Sequence, residues 1–258
     1  MFTVPLRAKL DARQPVVGVL ATQADAGLAE TVGLLGFDFF MLDCEHGTAS
    51  PRDAEAVILG CERRGITPLA RIGTMDPKTI LQFMDAGLAG VMMPGVTSAE
   101  EAKALVDAIK YPPLGKRGLG PVRAASFMLG EQSQAEYVAE ANRQTVVLPQ
   151  IEDIAGLDVL DDLLAVEGVD GFVVGPRDFA MSMGFTDGPG HPEVKEALDE
   201  VYSRVIEGGK LLGTVAGTGD AARRLVERGV GLVLTSLTAL LKPSSKAFLE
   251  GMRGAPPA

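Results

Sequence analysis

Short apolar runs alternate with helix-like stretches along nearly the whole 258-residue chain, and this alternation limits the fold more than any single motif does. Residues 16–20, 37–42, 67–72, 90–93, 145–151, 171–174, 210–215 and 231–235 read as strands. They are apolar on both sides of the pleat, as parallel strands covered on both faces must be. Helix-like stretches fill the intervals: 24–35, 51–64, 77–87, 98–110, 131–143, 156–165, 192–207, 220–228 and 237–250. Pro51 and Pro77 stand at favoured first-turn positions. Ser98 followed by Glu101 has the spacing of a capping box. Pro243 is expected to kink or interrupt the last helix.

About eight strands, each followed by a helix, over roughly 250 residues point to an α/β chain folded as a single (β/α)8 TIM barrel. A doubly wound open sheet is the alternative, but no G-x-G-x-x-G follows the first strand, which weakens a dinucleotide-binding reading. The barrel is expected to occupy residues 1–250, with a loose tail over 251–258. Residues 111–127, rich in Pro and Gly, break the rhythm with a connection of the length that is often functional or disordered.

With 24 Lys+Arg against 34 Asp+Glu, the net charge is −10. That balance argues against a nucleic-acid partner or an anionic membrane surface, since both attract basic residues. No apolar run reaches the ~18 residues that span a bilayer. The charged residues of 1–14 give no secretory signal. The two cysteines, Cys44 and Cys61, make no disulfide framework, and a reducing cytoplasm is the simplest setting.

In a barrel of this kind the C-terminal strand ends form the active-site face. The second strand ends in Asp43-Cys44-Glu45-His46 and the third at Arg71. The fifth carries Gln150 and leads to Glu152-Asp153, and the sixth leads into Gly175-Pro176-Arg177-Asp178. Each residue has an ordinary structural reading. Asp43 can cap a turn, Arg71 can pair with Asp43 or Glu45, and Glu152 and Asp178 can be loop acids. Their convergence on one rim is harder to dismiss. Glu152 and Asp178 form an oxygen pair that suits Mg²⁺ or Mn²⁺. Arg71 can meet a developing oxyanion. His46, oriented by Asp43, can activate a metal-held water as general base. No lysine falls at a strand end, where a Schiff base would need one.

These residues, in this order, resemble the HpcH/HpaI aldolases, metal-dependent class II pyruvate aldolases with a (β/α)8 barrel of the phosphoenolpyruvate/pyruvate type. The matching passages are Gly36 through His46, Leu69 to Ile72, Met84-Asp85-Ala86-Gly87 and Pro94. They continue with Tyr111 to Pro113, Gly115 to Gly118, Gln150-Ile151-Glu152, Glu167 to Gly171, Gly175-Pro176-Arg177-Asp178 and His191 to Glu193. The resemblance implies Glu152 and Asp178 as ligands of a divalent cation (Mg²⁺, Mn²⁺ or Co²⁺), with no nucleotide cofactor. It implies Arg71 at the keto or enolate oxygen, Gln150 on the pyruvate unit, and backbone N–H groups around Gly175, Pro176 and Asp178 for the carboxylate. It makes His46, with Asp43 behind it, the general base. It carries Asp85 into a neighbouring subunit's site, and places the segment around Arg117 to Arg123 near the site mouth. It implies a homo-oligomer, typically a hexamer built as a dimer of trimers with terminal helices exchanged. Arg177 stands where such proteins commonly carry a small residue.

The implied reaction is reversible retro-aldol cleavage of a 4-hydroxy-2-keto acid to pyruvate, or a related 2-keto acid, and an aldehyde. A citrate-lyase-like or malyl-CoA-type lyase is a second reading, although no basic cluster for coenzyme A phosphates is evident. A catalytically silent barrel that acts as a binding protein is a third.

Overall fold

The computed structural model describes residues 5–254. Eight parallel strands close into a barrel in sequence order: β1 (Val16–Ala21), β2 (Phe39–Asp43), β3 (Thr67–Arg71), β4 (Gly90–Met93), β5 (Val146–Ile151), β6 (Gly171–Val174), β7 (Leu211–Val215) and β8 (Leu232–Ser236). Pairing of β8 with β1, with Val17 opposite Val233, completes the ring and leaves no sheet edge. The expected barrel is therefore what forms, and the open sheet is excluded.

Around the ring run α1 (Pro5–Asp11), α2 (Ala26–Leu34), α3 (Pro51–Arg64), α4 (Pro77–Ala86), α5 (Ala99–Ile109) and α6 (Gln134–Gln144). They are followed by α7 (Ala155–Asp158), α8 (Leu160–Leu164), α9 (Pro176–Ser182), α10 (Pro192–Glu207), α11 (Gly219–Glu227) and α12 (Leu237–Arg253). None of the described helices is long and apolar enough to cross a membrane.

The pleat divides the core in two. Phe39 and Met41 point into the barrel with Leu69, Met92, Leu148 and Leu234, whereas Phe40 and Leu42 pack outward against the helices. Both sets are buried, which explains why the strands read as unbroken apolar runs. Helix α1 closes the N-terminal end of the barrel. Leu6 is fully buried in the inner cluster, and its N–H donates to Thr67 Oγ1 at 3.1 Å. Arg7 Nη2 reaches Thr145 O at 2.9 Å and Asp170 Oδ1 at 2.7 Å.

Several local expectations need correction. Ser98 caps α5, but Glu101 Oε2 accepts from the Thr97 N–H at 2.8 Å, so the reciprocal box does not close on Ser98. The helix expected over 156–165 is two short ones that meet at Val159. Pro243 lies within α12 without ending it. The loose tail expected over 251–258 is helical through Arg253, while 255–258 lie outside the described residues. No residue of α12 is buried, and Leu241, Phe248 and Met252 are all more than half exposed.

Candidate active site

The C-terminal rim gathers the polar residues because each stands at or just past the end of an apolar strand. Asp43 and Arg71 are the last residues of β2 and β3 and are paired in register. That adjacency lets the guanidinium grip the carboxylate at two points, Nε to Oδ1 at 2.9 Å and Nη2 to Oδ2 at 2.5 Å. Both residues are buried, Asp43 at 4% and Arg71 at 7% exposure, so the pair is sheltered from water. Burial pushes the Asp43 carboxyl up. Arg71 and the N–H groups of His46 and Glu45 outweigh it and hold the acid below the usual carboxylate range.

Arg71 Nη1 also lies 3.2 Å from Glu45 Oε2. Glu45 thus enters the site as a second carboxylate on Arg71, and its Oε2 also lies 3.8 Å from His46 Nε2. Here the expected role of Asp43 changes. Asp43 Oδ1 accepts from the backbone N–H groups of Glu45 (3.2 Å) and His46 (3.3 Å), so it shapes the loop and does not touch the imidazole. The ring stands beside Glu45 and is 64% exposed. Glu45 was visible in the Asp-Cys-Glu-His run only as a partner for Arg71; its place beside the ring depends on the loop's turn. Gly47 makes that turn possible, since a Cβ there would fall 2.2 Å from Asp43 O.

Across the rim, Gln150 is 3% exposed at the end of β5. Its Nε2 donates to Glu152 Oε2, and its buried Oε1 has no hydrogen-bond partner. Glu152 Oε1 accepts from the Gly95 N–H at 2.9 Å, a contact that nothing in the sequence suggested. Burial, then the negative charges of Glu45 and Asp178, push the Glu152 carboxyl up to about 7, against the pull of Gly95 and Arg71. Gly175 lets β6 and α9 come close to this pair: a Cβ there would lie 2.7 Å from Gln150 Nε2 and 3.2 Å from Glu152 Oε2. Pro176 opens α9, placing Arg177 and Asp178 in its exposed first turn. The Gly175 N–H is committed to Ile151 O at 3.0 Å, so it cannot receive a substrate carboxylate as expected. The Arg177 and Asp178 N–H groups, in the first helical turn, have no intrahelical acceptor.

Asp85 is not at this rim. Helix α4 descends from β3 to the start of β4, so its last turn lies at the N-terminal end of the barrel. Asp85 there accepts from Arg117 Nη2 at 2.7 Å, and Arg117 stacks 4.7 Å over the Tyr111 ring. The segment from Arg117 to Arg123 lies at the same end, where Arg123 contacts Glu62 and the carbonyl of Ala86. The expectation that this segment borders the mouth therefore fails within one chain, because α5 delivers the backbone to the opposite face.

A cleft of about 410 Å³ joins the rim residues. His46, Arg71, Gln150, Gly175, Arg177 and Asp178 line one side, and Val215, Gly217, Thr235, Ser236 and Ala239 the other. Among the described residues no three His, Cys, Asp or Glu side chains form a ready cation cage. Two acids, Glu152 and Asp178, are nonetheless a fitting donor set. Mg²⁺ and Mn²⁺ accept one or two carboxylates and fill the remaining positions with water and substrate oxygens. Burial first, and then the neighbouring charges of Glu45 and Asp178, raise Glu152, and a cation would offset both.

The sequence pattern of HpcH/HpaI aldolase/citrate lyase proteins matches residues 7–237. The chain belongs to this family. It is 34% identical over 253 residues to a hydroxypyruvate/pyruvate aldolase of Pseudomonas aeruginosa, covering 98% of this chain and 94% of that protein. It is 34% identical over 236 residues to a 5-keto-4-deoxy-D-glucarate aldolase of Escherichia coli, covering 90% of each. An HpcH/HpaI aldolase from Desulfitobacterium hafniense superposes with a TM-score of 0.92 at 30% identity, covering 98% of both chains. Family membership and these relatives make the chain a carbon–carbon lyase of the aldolase type, acting on small molecules.

Proposed function

We propose that the protein is a divalent-metal-dependent aldolase that cleaves a 4-hydroxy-2-keto acid to pyruvate, or a related 2-keto acid, and an aldehyde, and runs the reverse addition. The observation that carries this reading is the rim itself: a sheltered Arg71 beside a carboxylate pair, Glu152 and Asp178, with an imidazole at the mouth. Glu152 and Asp178 would hold the cation, whose Lewis acidity stabilises the negative charge that cleavage leaves on the donor's 2-oxygen.

The remaining roles fall to side chains of this chain. Arg71, fixed by Asp43 and Glu45, presents a positive group to the same oxygen without having to reorganise during reaction. The unpartnered Gln150 Oε1 and the first N–H groups of α9 are placed to orient the keto acid. His46 Nε2 takes the proton of the 4-hydroxyl as the C3–C4 bond breaks and delivers a proton to C3, which becomes the methyl group of pyruvate; in the addition direction it takes that methyl proton and gives one to the aldehyde oxygen. Glu45 Oε2 stands 3.8 Å from the ring nitrogen. Asp85 cannot serve the site of its own chain. Any catalytic part it plays is in a neighbouring subunit's site, within a homo-oligomer for which the uncovered apolar side chains of α12 are the support. A hexamer, built as a dimer of trimers, is the assembly this family reading favours. A reducing, cytoplasmic setting accords with the two free thiols, Cys44 and Cys61.

The test is cleavage of 4-hydroxy-2-keto acids by protein stripped with a chelator and reloaded with Mg²⁺, Mn²⁺ or Co²⁺, with acyl-CoA thioesters assayed beside them. Activity lost on stripping and restored by metal supports the proposal. Full activity in stripped protein, or turnover of the thioesters alone, refutes it.

A further inference from the structure

The charge on the cleft wall is asymmetric. Of its two arginines, Arg71 is buried and already shared between Asp43 and Glu45. Arg177 also lines the cleft, yet it is exposed and has no ion-pair or hydrogen-bond partner among the described side chains. The wall made by the ends of β7 and β8 is neutral, with Val215, Gly217, Thr235, Ser236 and Ala239 and no acid among them. Among the described residues Arg177 is therefore the one guanidinium of the cleft wall that carries no carboxylate partner.

The donor and acceptor occupy different parts of such a cleft. On the aldolase reading the keto acid lies against Gln150 and Arg71, which line the cleft. The aldehyde must approach from the open side, between His46, α9 and the β7–β8 wall. A guanidinium offers a planar fork that fits a carboxylate at two points. One such fork, without a second free cation, matches a single negative charge better than a phosphate dianion.

We propose that Arg177 sets the acceptor preference of this protein, selecting short aldehydes that carry a carboxylate. In the cleavage direction the substrates are then 4-hydroxy-2-keto diacids, and the Arg177 guanidinium holds the carboxylate distal to the bond that breaks. The inference rests on the aldolase reading and sharpens it.

The experiment compares kcat/KM for pyruvate addition to glyoxylate and to succinic semialdehyde with that for uncharged propionaldehyde, and includes glyceraldehyde 3-phosphate. The metal-loaded protein and its Arg177→Ala and Arg177→Lys variants are compared. The ratio of carboxylated to uncharged acceptor should fall about tenfold or more in Arg177→Ala, mainly through acceptor KM, and recover in part in Arg177→Lys. A ratio that stays within about twofold of the unaltered protein overturns the assignment while leaving the aldolase reading intact. Preference for the phosphorylated aldehyde overturns the carboxylate specificity. If the unaltered protein adds pyruvate to none of these aldehydes, the proposed pyruvate reaction fails, and Arg177's role fails with it.

Discussion

Arg71 and Asp43 face each other across the ends of β2 and β3 and are joined by two hydrogen bonds of 2.9 and 2.5 Å, both groups buried. The pair links catalysis to stability, and the choice of variant decides which of the two is measured. Arg71→Ala strips Asp43 of its counter-charge and should cost about 3 kcal/mol of stability, as breaking a buried pair does. Arg71→Lys keeps the charge but loses the fork. It should stay folded in chemical denaturation while turnover drops about 100-fold, the scale for losing one oriented donor to an oxyanion. Turnover near that of the unaltered protein in Arg71→Lys would show that charge alone suffices.

Gly175 tests how tightly the donor side is packed. Its φ of −99° is open to alanine, so the strain comes from the added Cβ, chiefly at 2.7 Å from Gln150 Nε2 and less at 3.2 Å from Glu152. Gly175→Ala should cost about 1–2 kcal/mol of stability from overpacking. The displaced Gln150 should raise the KM for pyruvate several-fold while the KM for aldehyde moves less. Kinetics with each substrate varied in turn would separate the two.

Lys110 provides a pH signature far from the site. Its ammonium is buried at the N-terminal end, donating to Thr145 O at 2.5 Å and Asn142 O at 2.8 Å, with Asp170 at 4.0 Å and Arg7 on the same carboxylate. Burial lowers its pKa to about 8, more than Asp170 raises it, and Arg7 adds to the lowering. Between about pH 8 and 10.5 the unfolded chain thus holds a proton that the folded chain has released. Stability from this group grows as pH rises through that window, by at most ~1.4 kcal/mol per unit, and is lost as pH falls toward 8. The stability difference between unaltered protein and Lys110→Met should rise from pH 8 to 10. A flat difference would place the Lys110 pKa near its ordinary value.

Helix α12 leaves Leu241, Phe248 and Met252 largely uncovered. Exposed apolar side chains along one helix mark an association surface. Light scattering should find an oligomer, and Leu241→Glu with Phe248→Glu should yield smaller species. A monomer for the unaltered protein would remove the route by which Asp85 reaches a second site.

The barrel was legible because its strands are buried on both faces and its helices carry strong start signals. The bounds of α3 and α10, each opened by a proline, agree with the sequence reading residue for residue. By contrast, α1 is only 7 residues long and charged, and its plug role depends on one buried leucine and on partners more than 60 residues away. Helix α9 was hidden because Gly175-Pro176 reads as a strand stop, although the same proline starts a helix. At the site, strand ends told which residues share the rim. They did not reveal that Asp43 holds the loop instead of the imidazole, or that Glu45 stands beside it. Those depend on a turn that returns to within van der Waals reach at Gly47. The separation of Asp85 from its own chain's rim follows from chain direction along α4; the sequence had carried Asp85 to a neighbouring subunit by resemblance alone.

Hydrogen exchange tests most directly whether a divalent cation held by Glu152 and Asp178 would act with Arg71 to let His46 take a proton from the methyl group of pyruvate. Pyruvate is incubated in D₂O with the protein, and loss of the methyl proton signal is followed by NMR. Exchange should stop after chelation, return with Mg²⁺ or Mn²⁺, and be reduced at least about 100-fold in Glu152→Gln. Undiminished exchange in chelated protein, or in Glu152→Gln, would contradict the account.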